Sequence, residues 1–403
     1  MQVTVRPSIA KGKISAPPSK SMAHRLLISA AMCEGESIIQ GISQSADVCA
    51  TLDCLRALGV RCDTEGDTVC VVGVDPRKNA PISPLLCRES GSTLRFLLPI
   101  ALLSGQDAVL RGAPSLMQRP MSIYQTLCAQ KGMAFLQAQD EIRVRGPLQA
   151  GEYRVPGNVS SQFISGLLFA LPLTDGDSRI CIEPPVESRS YIDLTLSALQ
   201  AFGVRAEWQD AYTLKIWGNQ RYCPCRATVE GDYSNAAFLD AFNRLGGSVQ
   251  VEGLREDSLQ GDRVYCQYFD RLATDTPTLD IGDCPDLGPI LFALAAAQNG
   301  ATFTGTRRLR IKESDRVATM AEELQKLGAQ LLIEEDRVTV LPSQLHPPTV
   351  PLSGHNDHRV VMSCAVLLSR LGGTVMGAEA VRKSFPDFFD CIRSLGVEVL
   401  IYD

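Results

Sequence analysis

Apolar positions along this chain fall into two alternating kinds of block. Stretches such as Phe163 to Leu173 and Ile290 to Ala297 are apolar at most positions, whereas short runs cluster around Val and Ile. The two kinds follow one another in a fixed order. A start rich in Ser, Gly, Asp or Asn opens an apolar helix, a Gly closes it, and a strand-like run comes next. Six segments obey that order: Ser19 to Gly35, Ser90 to Gly105, Ser160 to Gly176, Tyr233 to Gly247, Pro285 to Gly300 and His355 to Gly373. The runs that follow include Ser37-Ile38-Ile39, Ala108-Val109-Leu110, Arg179-Ile180-Cys181-Ile182, Ser248-Val249-Gln250-Val251 and Thr302-Phe303, and these are predicted strands.

A second helix, ended by Gly and a β-branched or small residue, is predicted before Leu58-Gly59-Val60, Lys131-Gly132-Met133, Phe202-Gly203-Val204, Leu327-Gly328-Ala329 and Leu395-Gly396-Val397. The closing glycines recur about every 70 residues, except that Gly247 and Gly300 are about 53 apart. The fifth unit lacks the second-helix signal and is expected to be short by about a helix and part of a hairpin. A period near 70 residues fits a small βαβαββ unit, about the size of a split βαβ motif. One such unit cannot bury its own helices, so several must share a core, and helices apolar all round belong inside it. The expectation is therefore an α/β fold of two similar domains, each of three βαβαββ repeats. Helices would be buried inside and sheets lie outside, an inside-out α/β barrel, with the active site in the interdomain cleft. Residues 18–229 are expected to form one domain, and 1–17 with 230–403 the other, joined near Pro17–Ser19 and Thr228–Gly231.

Composition narrows the function. Hydrophobic residues make up 45 % of 403 positions, ample for two cores. No run of 18 apolar residues exists and Met1-Gln2-Val3-Thr4 lacks a signal-peptide layout, so a soluble, cytoplasmic protein that meets no membrane is expected. The net charge of −6 argues against nucleic acid as a partner. Fourteen cysteines are scattered singly and read as buried free thiols. Four histidines are few for a metal centre, although His355 and His358 lie one helical turn apart with Asp357 between them. Neither a Walker-type loop nor a dinucleotide fingerprint is present.

The polar helix starts carry the chemistry. In Pro17-Pro18-Ser19-Lys20-Ser21 the prolines exclude a helix and the hydroxyls cap one, so Lys20 and Arg25 fall in or near a first turn. Unpaired backbone N–H groups and the helix dipole make that place an anion site. The other starts add Glu89-Ser90-Gly91-Ser92-Thr93 with Arg95, Ser160-Ser161-Gln162, Asp232, Ser234, Asp286 and Asp357-His358-Arg359. Loops add Arg119, Ser188 to Tyr191, Lys312 to Arg316 and Lys383. Cations beside hydroxyls and amides suit phosphate and carboxylate oxygens, while Asp286 and Glu313 suit proton transfer. Each polar start equally reads as a simple helix cap, and Asp286 reads as a cap or a base.

In order along the chain, these motifs resemble those of the EPSP synthase (3-phosphoshikimate 1-carboxyvinyltransferase) family of enolpyruvyl transferases. The residues that carry the likeness are Pro-Ser-Lys-Ser at 18–21 with Arg25, Glu-Ser-Gly-Ser-Thr-Leu-Arg at 89–95, Gln-Arg-Pro at 118–120 and Ser-Ser-Gln-Phe at 160–163. Ser188 to Asp193, Glu-Gly-Asp at 230–232, Pro-Asp at 285–286, Ile-Lys-Glu-Ser-Asp-Arg at 311–316, Asn-Asp-His-Arg at 356–359 and Lys-Ser-Phe-Pro-Asp-Phe-Phe at 383–389 continue it. The resemblance implies transfer of the enolpyruvyl group of phosphoenolpyruvate to the 5-hydroxyl of 3-phosphoshikimate, without metal or cofactor, by a monomer. It implies that Lys20, Ser21, Arg25, Ser160, Ser161, Gln162, Ser188, Tyr191, Asp286 and Lys312 hold 3-phosphoshikimate. Lys20, Gly91, Ser92, Arg119, Gln162, Arg316, Arg359 and Lys383 would hold phosphoenolpyruvate. Asp286 would be the base for the 5-hydroxyl, with Glu313, assisted by Lys20 or His358, moving the proton at C3.

The chain departs from the family's commoner pattern at Arg88-Glu89-Ser90-Gly91-Ser92, where many members have Gly-Asn-x-Gly-Thr, and at Arg308, often an Asn. Two other readings compete. The sister transferase acting on UDP-N-acetylglucosamine usually has Lys-Asn where Lys20-Ser21 stands, and a Cys at the position of Pro114. A non-catalytic repeat protein that binds phosphorylated metabolites would have no need of Asp286, Glu313 and Lys383 together.

Overall fold

The computed structural model describes residues 1–402. The chain divides into two compact units, one of Pro18–Glu230 and one of Met1–Pro17 with the residues from Gly231 onward. Each has its own hydrophobic core.

The unit 18–230 contains three four-stranded sheets of one topology. In the clearest, Glu152–Pro156 runs parallel to Ser178–Glu183, Thr213–Ile216 pairs antiparallel with Ser178–Glu183, and Ala206–Trp208 closes the edge antiparallel to Thr213–Ile216. Leu85–Leu86, Asp107–Arg111, Glu141–Arg145 and Ala134–Gln137 repeat that order. So do Arg226–Thr228, Glu36–Gln40, Thr68–Val72 and Arg61–Glu65, the first strand here coming from the far end of the unit's sequence. Every strand-like run expected from the sequence in this unit lies in a sheet. Alternation puts Val69 and Val71 in the core while Cys70 between them faces outward, as a half-buried strand requires.

Before the second strand of each sheet, Glu36–Gln40, Asp107–Arg111 or Ser178–Glu183, the chain passes through a helix that is buried nearly all round. The helix Lys20–Ala31 is buried from Ala23 onward, and Gly91–Ala101 and Ser161–Ala170 are buried along most of their length. Ser19, Ser90 and Ser160 cap these helices, accepting from the amides of Met22, Thr93 and Gln162. Gly59 (φ 87°) and Gly396 (φ 89°) end second helices in the left-handed conformation, where a β-carbon would be strained.

The other unit holds two sheets of the same order and a third that is cut short. Thr278–Asp280, Ala301–Thr304, Arg337–Val340 and Leu331–Ile333 form one. Leu352–Ser353, Gly373–Met376, Gln2–Val5 and Val399–Tyr402 form the second, so the amino-terminal strand completes a repeat begun near the other end of the sequence. The helices Gly288–Ala297 and His358–Leu371 pack together at its centre. In the third sheet Lys11–Ser15 runs parallel to Ser248–Glu252, and no hairpin follows. The helix expected to be missing from this interval is present as Tyr265–Thr274, so the shortening removes a hairpin alone. The helix escapes notice in the sequence because it ends at Asp275 with no closing Gly.

That missing hairpin leaves the strand Ser248–Glu252 with an open edge. Ser248 N–H donates to Ala10 O at 2.9 Å and Glu252 O accepts from Ala16 N–H at 2.8 Å, so alternate residues are used by the parallel partner. Val249 faces the other way, and the Asn243 carboxamide serves it as a strand would. Val249 N–H donates to Asn243 Oδ1 at 2.6 Å, and Asn243 Nδ2 donates to Val249 O at 2.8 Å. A lone side chain thus covers an edge that would otherwise template pairing with another chain.

The inside-out barrel needs one correction: the strands form separate small sheets and close into no barrel. No helix among the described residues is long and apolar enough to cross a membrane. The cysteines are free thiols, with Cys33, Cys54 and Cys87 buried as expected and Cys223 and Cys266 exposed.

Asn243→Ala removes both edge contacts while leaving the core intact. It is expected to lower unfolding free energy by about 1–3 kcal/mol, read by urea titration, and to raise the tendency to associate on heating.

Candidate active site

In the unit 18–230 the polar helix starts gather cations against neutral acceptors. Lys20 opens its helix, and its Nζ lies 2.8 Å from Asp47 Oδ2. Arg25 is buried, with Nε on Thr195 Oγ1 (2.9 Å), Nη1 on the Ser21 carbonyl (2.6 Å) and Nη2 on the Tyr191 carbonyl (2.8 Å). Burial lowers its guanidinium to about 10, with Tyr191 opposing the shift, so it remains a cation at neutral pH. These contacts fix Ser21 and Tyr191 from below, while Ser188 turns into the next helix in the left-handed conformation at φ 55°.

Gly91 marks a second gathering point. A β-carbon there would stand 3.0 Å from Arg119 Nη1, 3.1 Å from Arg95 Nη1 and 3.6 Å from Gln162 Oε1. Arg95 Nη1 donates to Gln162 Oε1 at 2.7 Å, and Gln162 Nε2 donates to Ser92 Oγ at 2.9 Å. Two guanidinium groups and an amide therefore sit at the start of the helix Gly91–Ala101, where the backbone is already poised for an anion. Tyr124 OH holds the same helix by bonding the Arg95 carbonyl at 2.7 Å.

A buried relay ties the helix starts together. His24 Nδ1 lies 2.8 Å from Thr51 Oγ1, Thr51 Oγ1 lies 2.7 Å from Thr93 Oγ1, and Thr93 Oγ1 donates to Ser90 Oγ at 2.7 Å. Burial, then the charges of Lys20 and Arg25, push the His24 imidazole well below its ordinary value, so it is neutral here. Asp47, His24, Thr51 and Thr195 were not singled out from the sequence. Their partners lie far off in sequence, and a lone Thr or Asp in a helix gives no sign of that.

In the other unit the gathering is between full charges. Asp286 Oδ1 accepts from Arg316 Nη1 at 2.9 Å and lies 3.5 Å from Lys312 Nζ, while Oδ2 lies 3.4 Å from Arg359 Nη2. Cys284 and Leu287 occupy the cap positions of the two helical turns beside it. Arg316, 1 % exposed, also donates to Glu313 Oε2 at 2.6 Å and through Nε to Asp357 Oδ2 at 2.9 Å. Burial alone would lower its guanidinium, but Asp357, Glu313 and Asp286 outweigh that and raise it above the ordinary arginine value. Arg359 donates to Ser234 Oγ at 2.7 Å and Asn235 Oδ1 at 3.4 Å. Burial lowers Lys312, with Asp286 opposing. Lys383 donates to the Asn356 carbonyl at 2.6 Å. His358, 2 % exposed, begins its helix with Nδ1 3.9 Å from Asp357 Oδ1. Arg308 is buried, with Nη1 3.5 Å from the Gly282 carbonyl.

His355 and His358 do not share a helix face. His355 precedes the helix at φ 46° and points to Glu323, Nε2 to Oε1 being 2.6 Å. The expected caps hold elsewhere: Asp232 caps through the amide of Asn235 and Asp357 through that of Arg359. Ser161 is buried in the first turn of its helix.

Chemically, one unit offers cations with a helix start, and the other a carboxylate encircled by cations with a second carboxylate, Glu313, close by. Known proteins resemble this chain. The profile of the family described as EPSP synthase (3-phosphoshikimate 1-carboxyvinyltransferase) matches residues 6–392. The 3-phosphoshikimate 1-carboxyvinyltransferase of Clostridium kluyveri is 36 % identical over 420 residues, covering 98 % of both chains. That of Clostridium perfringens is 36 % identical over 417 residues with the same coverage. Among solved structures, EPSP synthase from Acinetobacter baumannii superposes with a TM-score of 0.80 at 23 % identity over 100 % of both chains. The enolpyruvyl transferase NikO from Streptomyces tendae gives 0.80 at 14 % identity over 99 % of this chain and 98 % of its own.

Replacing Arg316 by Met leaves Asp286, Glu313 and Asp357 facing one another without their shared cation. The expected cost is about 3–5 kcal/mol of stability at pH 7. The carboxylates left without that cation repel one another, so the deficit is largest at high pH and shrinks as pH falls. Urea titrations of variant and wild type at pH 7 and pH 5 check both size and sign.

Proposed function

We infer the working of this site from the family to which the chain belongs, the EPSP synthases (3-phosphoshikimate 1-carboxyvinyltransferases). The chain transfers the enolpyruvyl group of phosphoenolpyruvate to the 5-hydroxyl of 3-phosphoshikimate and releases phosphate, a step of the shikimate pathway. Our reading of how it does so treats 18–229 as one three-repeat domain and 1–17 with 230–403 as the other. Each contributes residues that bind the substrates. The observation that carries the reading is the Asp286 carboxylate, within 3.5 Å of Arg316, Lys312 and Arg359.

Protonation of C3 of phosphoenolpyruvate makes C2 an oxocarbenium-like centre. The 5-hydroxyl oxygen bonds to C2 as its proton goes to a base, and the adduct then loses phosphate from C2 and a proton from C3. Asp286 is the base for the hydroxyl. Glu313, with 19 % of its side chain exposed, donates the C3 proton and later takes one back, with Lys20 assisting. His358 is the alternative to Lys20 as the group assisting Glu313. Lys20, Ser21, Arg25, Ser160, Ser161, Gln162, Ser188, Tyr191 and Lys312 hold 3-phosphoshikimate, with Arg25 acting through the carbonyls it fixes. Lys20, Gly91, Ser92, Arg119, Gln162, Arg316, Arg359 and Lys383 hold phosphoenolpyruvate. Both ligands are anions, and the cations offset their repulsion while fixing the line of attack. The protein works as a cytoplasmic monomer without a metal or cofactor.

Release of inorganic phosphate from phosphoenolpyruvate should require 3-phosphoshikimate, and UDP-N-acetylglucosamine should not replace it. Asp286→Ala should keep both substrates within roughly tenfold of wild-type affinity while kcat falls by about 100-fold or more. Near-normal turnover in that variant would remove Asp286 as the base. Gly91→Ala pushes on the ends of Arg95 and Arg119, side chains able to shift. A fold of wild-type stability is expected, with KM for phosphoenolpyruvate raised about tenfold in steady-state assays.

A further inference from the structure

Two consecutive residues with side chains, His355 (φ 46°) and Asn356 (φ 52°), stand in the left-handed region directly before the helix His358–Leu371. Such a pair is strained and persists only where its surroundings over-determine it. The segment is held from several sides. A β-carbon on Gly354 would meet Val361 Cγ2 at 2.5 Å and the carbonyls of Met376 and Gly377 at 2.9 Å, so the backbone is pressed against the adjoining strand. Asp357 N–H donates to the Gly354 carbonyl at 2.8 Å, closing the turn.

Glu323, on the helix Arg316–Lys326 and without solvent exposure, holds the outer side. Its Oε1 lies 2.6 Å from His355 Nε2, and its Oε2 accepts from the Ser353 amide at 2.9 Å. Lys326 Nζ donates to both oxygens, at 2.8 and 2.9 Å, which neutralises the buried carboxylate. Glu322, Glu323 and His355 are close enough to share a metal ion. The Lys326 ammonium, also 3.4 Å from Glu322 Oε1, already supplies the positive charge there.

The inner side of the same five residues meets the functional groups. The Asn356 carbonyl accepts from Lys383 Nζ at 2.6 Å. The Asp357 carboxylate accepts from Arg316 Nε and from the Arg359 amide, both at 2.9 Å, and from the Ser314 hydroxyl at 3.0 Å. Glu323 is thus one residue removed from the anchor of Lys383 and two from that of Arg316. Neither the mechanism nor the helix cap uses it.

We propose that Glu323, acting through His355 and the Ser353 amide, is a positioning residue that sets the strained turn 353–357 and thereby aims Lys383 and Arg359 at phosphoenolpyruvate. The assignment rests on the reading above that those cations bind phosphoenolpyruvate. Glu323 touches no substrate.

The test compares steady-state kinetics and melting temperature across four variants. Glu323→Gln keeps the size and one acceptor but loses the charge-assisted grip on His355. KM for phosphoenolpyruvate is expected to rise about tenfold, with kcat and KM for 3-phosphoshikimate within about twofold of wild type. His355→Ala, at a partly exposed position that the fold can spare, should give the same split, whereas His355→Gln, which still offers an N–H to Glu323, should recover most of it. Asn243→Ala, a stability loss elsewhere in the same unit, should lower the melting temperature and leave KM unchanged. Variants at 323 and 355 that melt lower but keep wild-type KM would overturn the assignment while the reading beneath it stands. A wild-type protein without 3-phosphoshikimate-dependent phosphate release would overturn that reading and the assignment with it.

Discussion

A guanidinium with 1 % exposure cannot be left without counter-charge, and Arg316 is neutralised by carboxylates from three separate places. Glu313 comes from the turn before its helix, Asp286 from the single 3-10 turn before Gly288–Ala297, and Asp357 from the cap of His358–Leu371. Satisfying that one cation therefore brings three helix starts to a common point. Lys312 and Arg359 then bring the three carboxylates near charge balance. An anionic ligand arriving there meets cations already oriented and already partnered, so little reorganisation remains to be done on binding.

The unit 18–230 meets the same demand with different chemistry. Arg25 is satisfied by two carbonyls and a hydroxyl, and Arg95 donates to the amide oxygen of Gln162. Neutral acceptors fill the donors without cancelling the charge, so the positive field survives for an anion. Lys20 is paired with a carboxylate, Asp47. One unit thus sets guanidinium groups against neutral acceptors, and the other holds a nearly balanced cluster with a carboxylate at its centre. Two anionic substrates, one of which must surrender a proton, call for both kinds of environment.

Much of this was written in the sequence because repetition made it redundant. The apolar blocks, the closing glycines and the capping residues each occur several times, and the expected strands at Ser37, Ala108, Arg179, Ser248 and Thr302 all fall within sheets. The helix Tyr265–Thr274 was lost because it ends at Asp275 without the closing Gly that marks its counterparts. The site's charged residues were visible as types at helix starts, but their partners were not. Asp47 on Lys20, Thr195 on Arg25 and Glu323 on His355 are each joined across long sequence separations, by packing that no local pattern encodes. The spacing of His355 and His358 suggested one helix face, and the left-handed turn between Gly354 and Asp357 undoes it.

The topology explains why helix starts, and not helix ends, carry the chemistry. In each repeat a buried helix leads into the second strand of the parallel pair, and where both strands are neighbours in sequence it begins where the first one finishes, so the helix starts of one unit share an edge. Their unpaired N–H groups and dipoles then add without any side chain being specified. Side chains decide what that edge becomes: Ser19, Ser90 and Ser160 keep their starts neutral, whereas Asp286 and Asp357 bring charge and require arginine in return. The cut-short repeat shows how separable the two roles are. Losing its hairpin alters the outer sheet, where Asn243 makes good the loss at Val249, yet the helix Tyr233–Asp240 of that repeat still presents Ser234 to Arg359. A repeat can therefore be trimmed on its sheet side without loss of the inner edge, because the helix start is fixed by the crossover and the buried charges rather than by the hairpin.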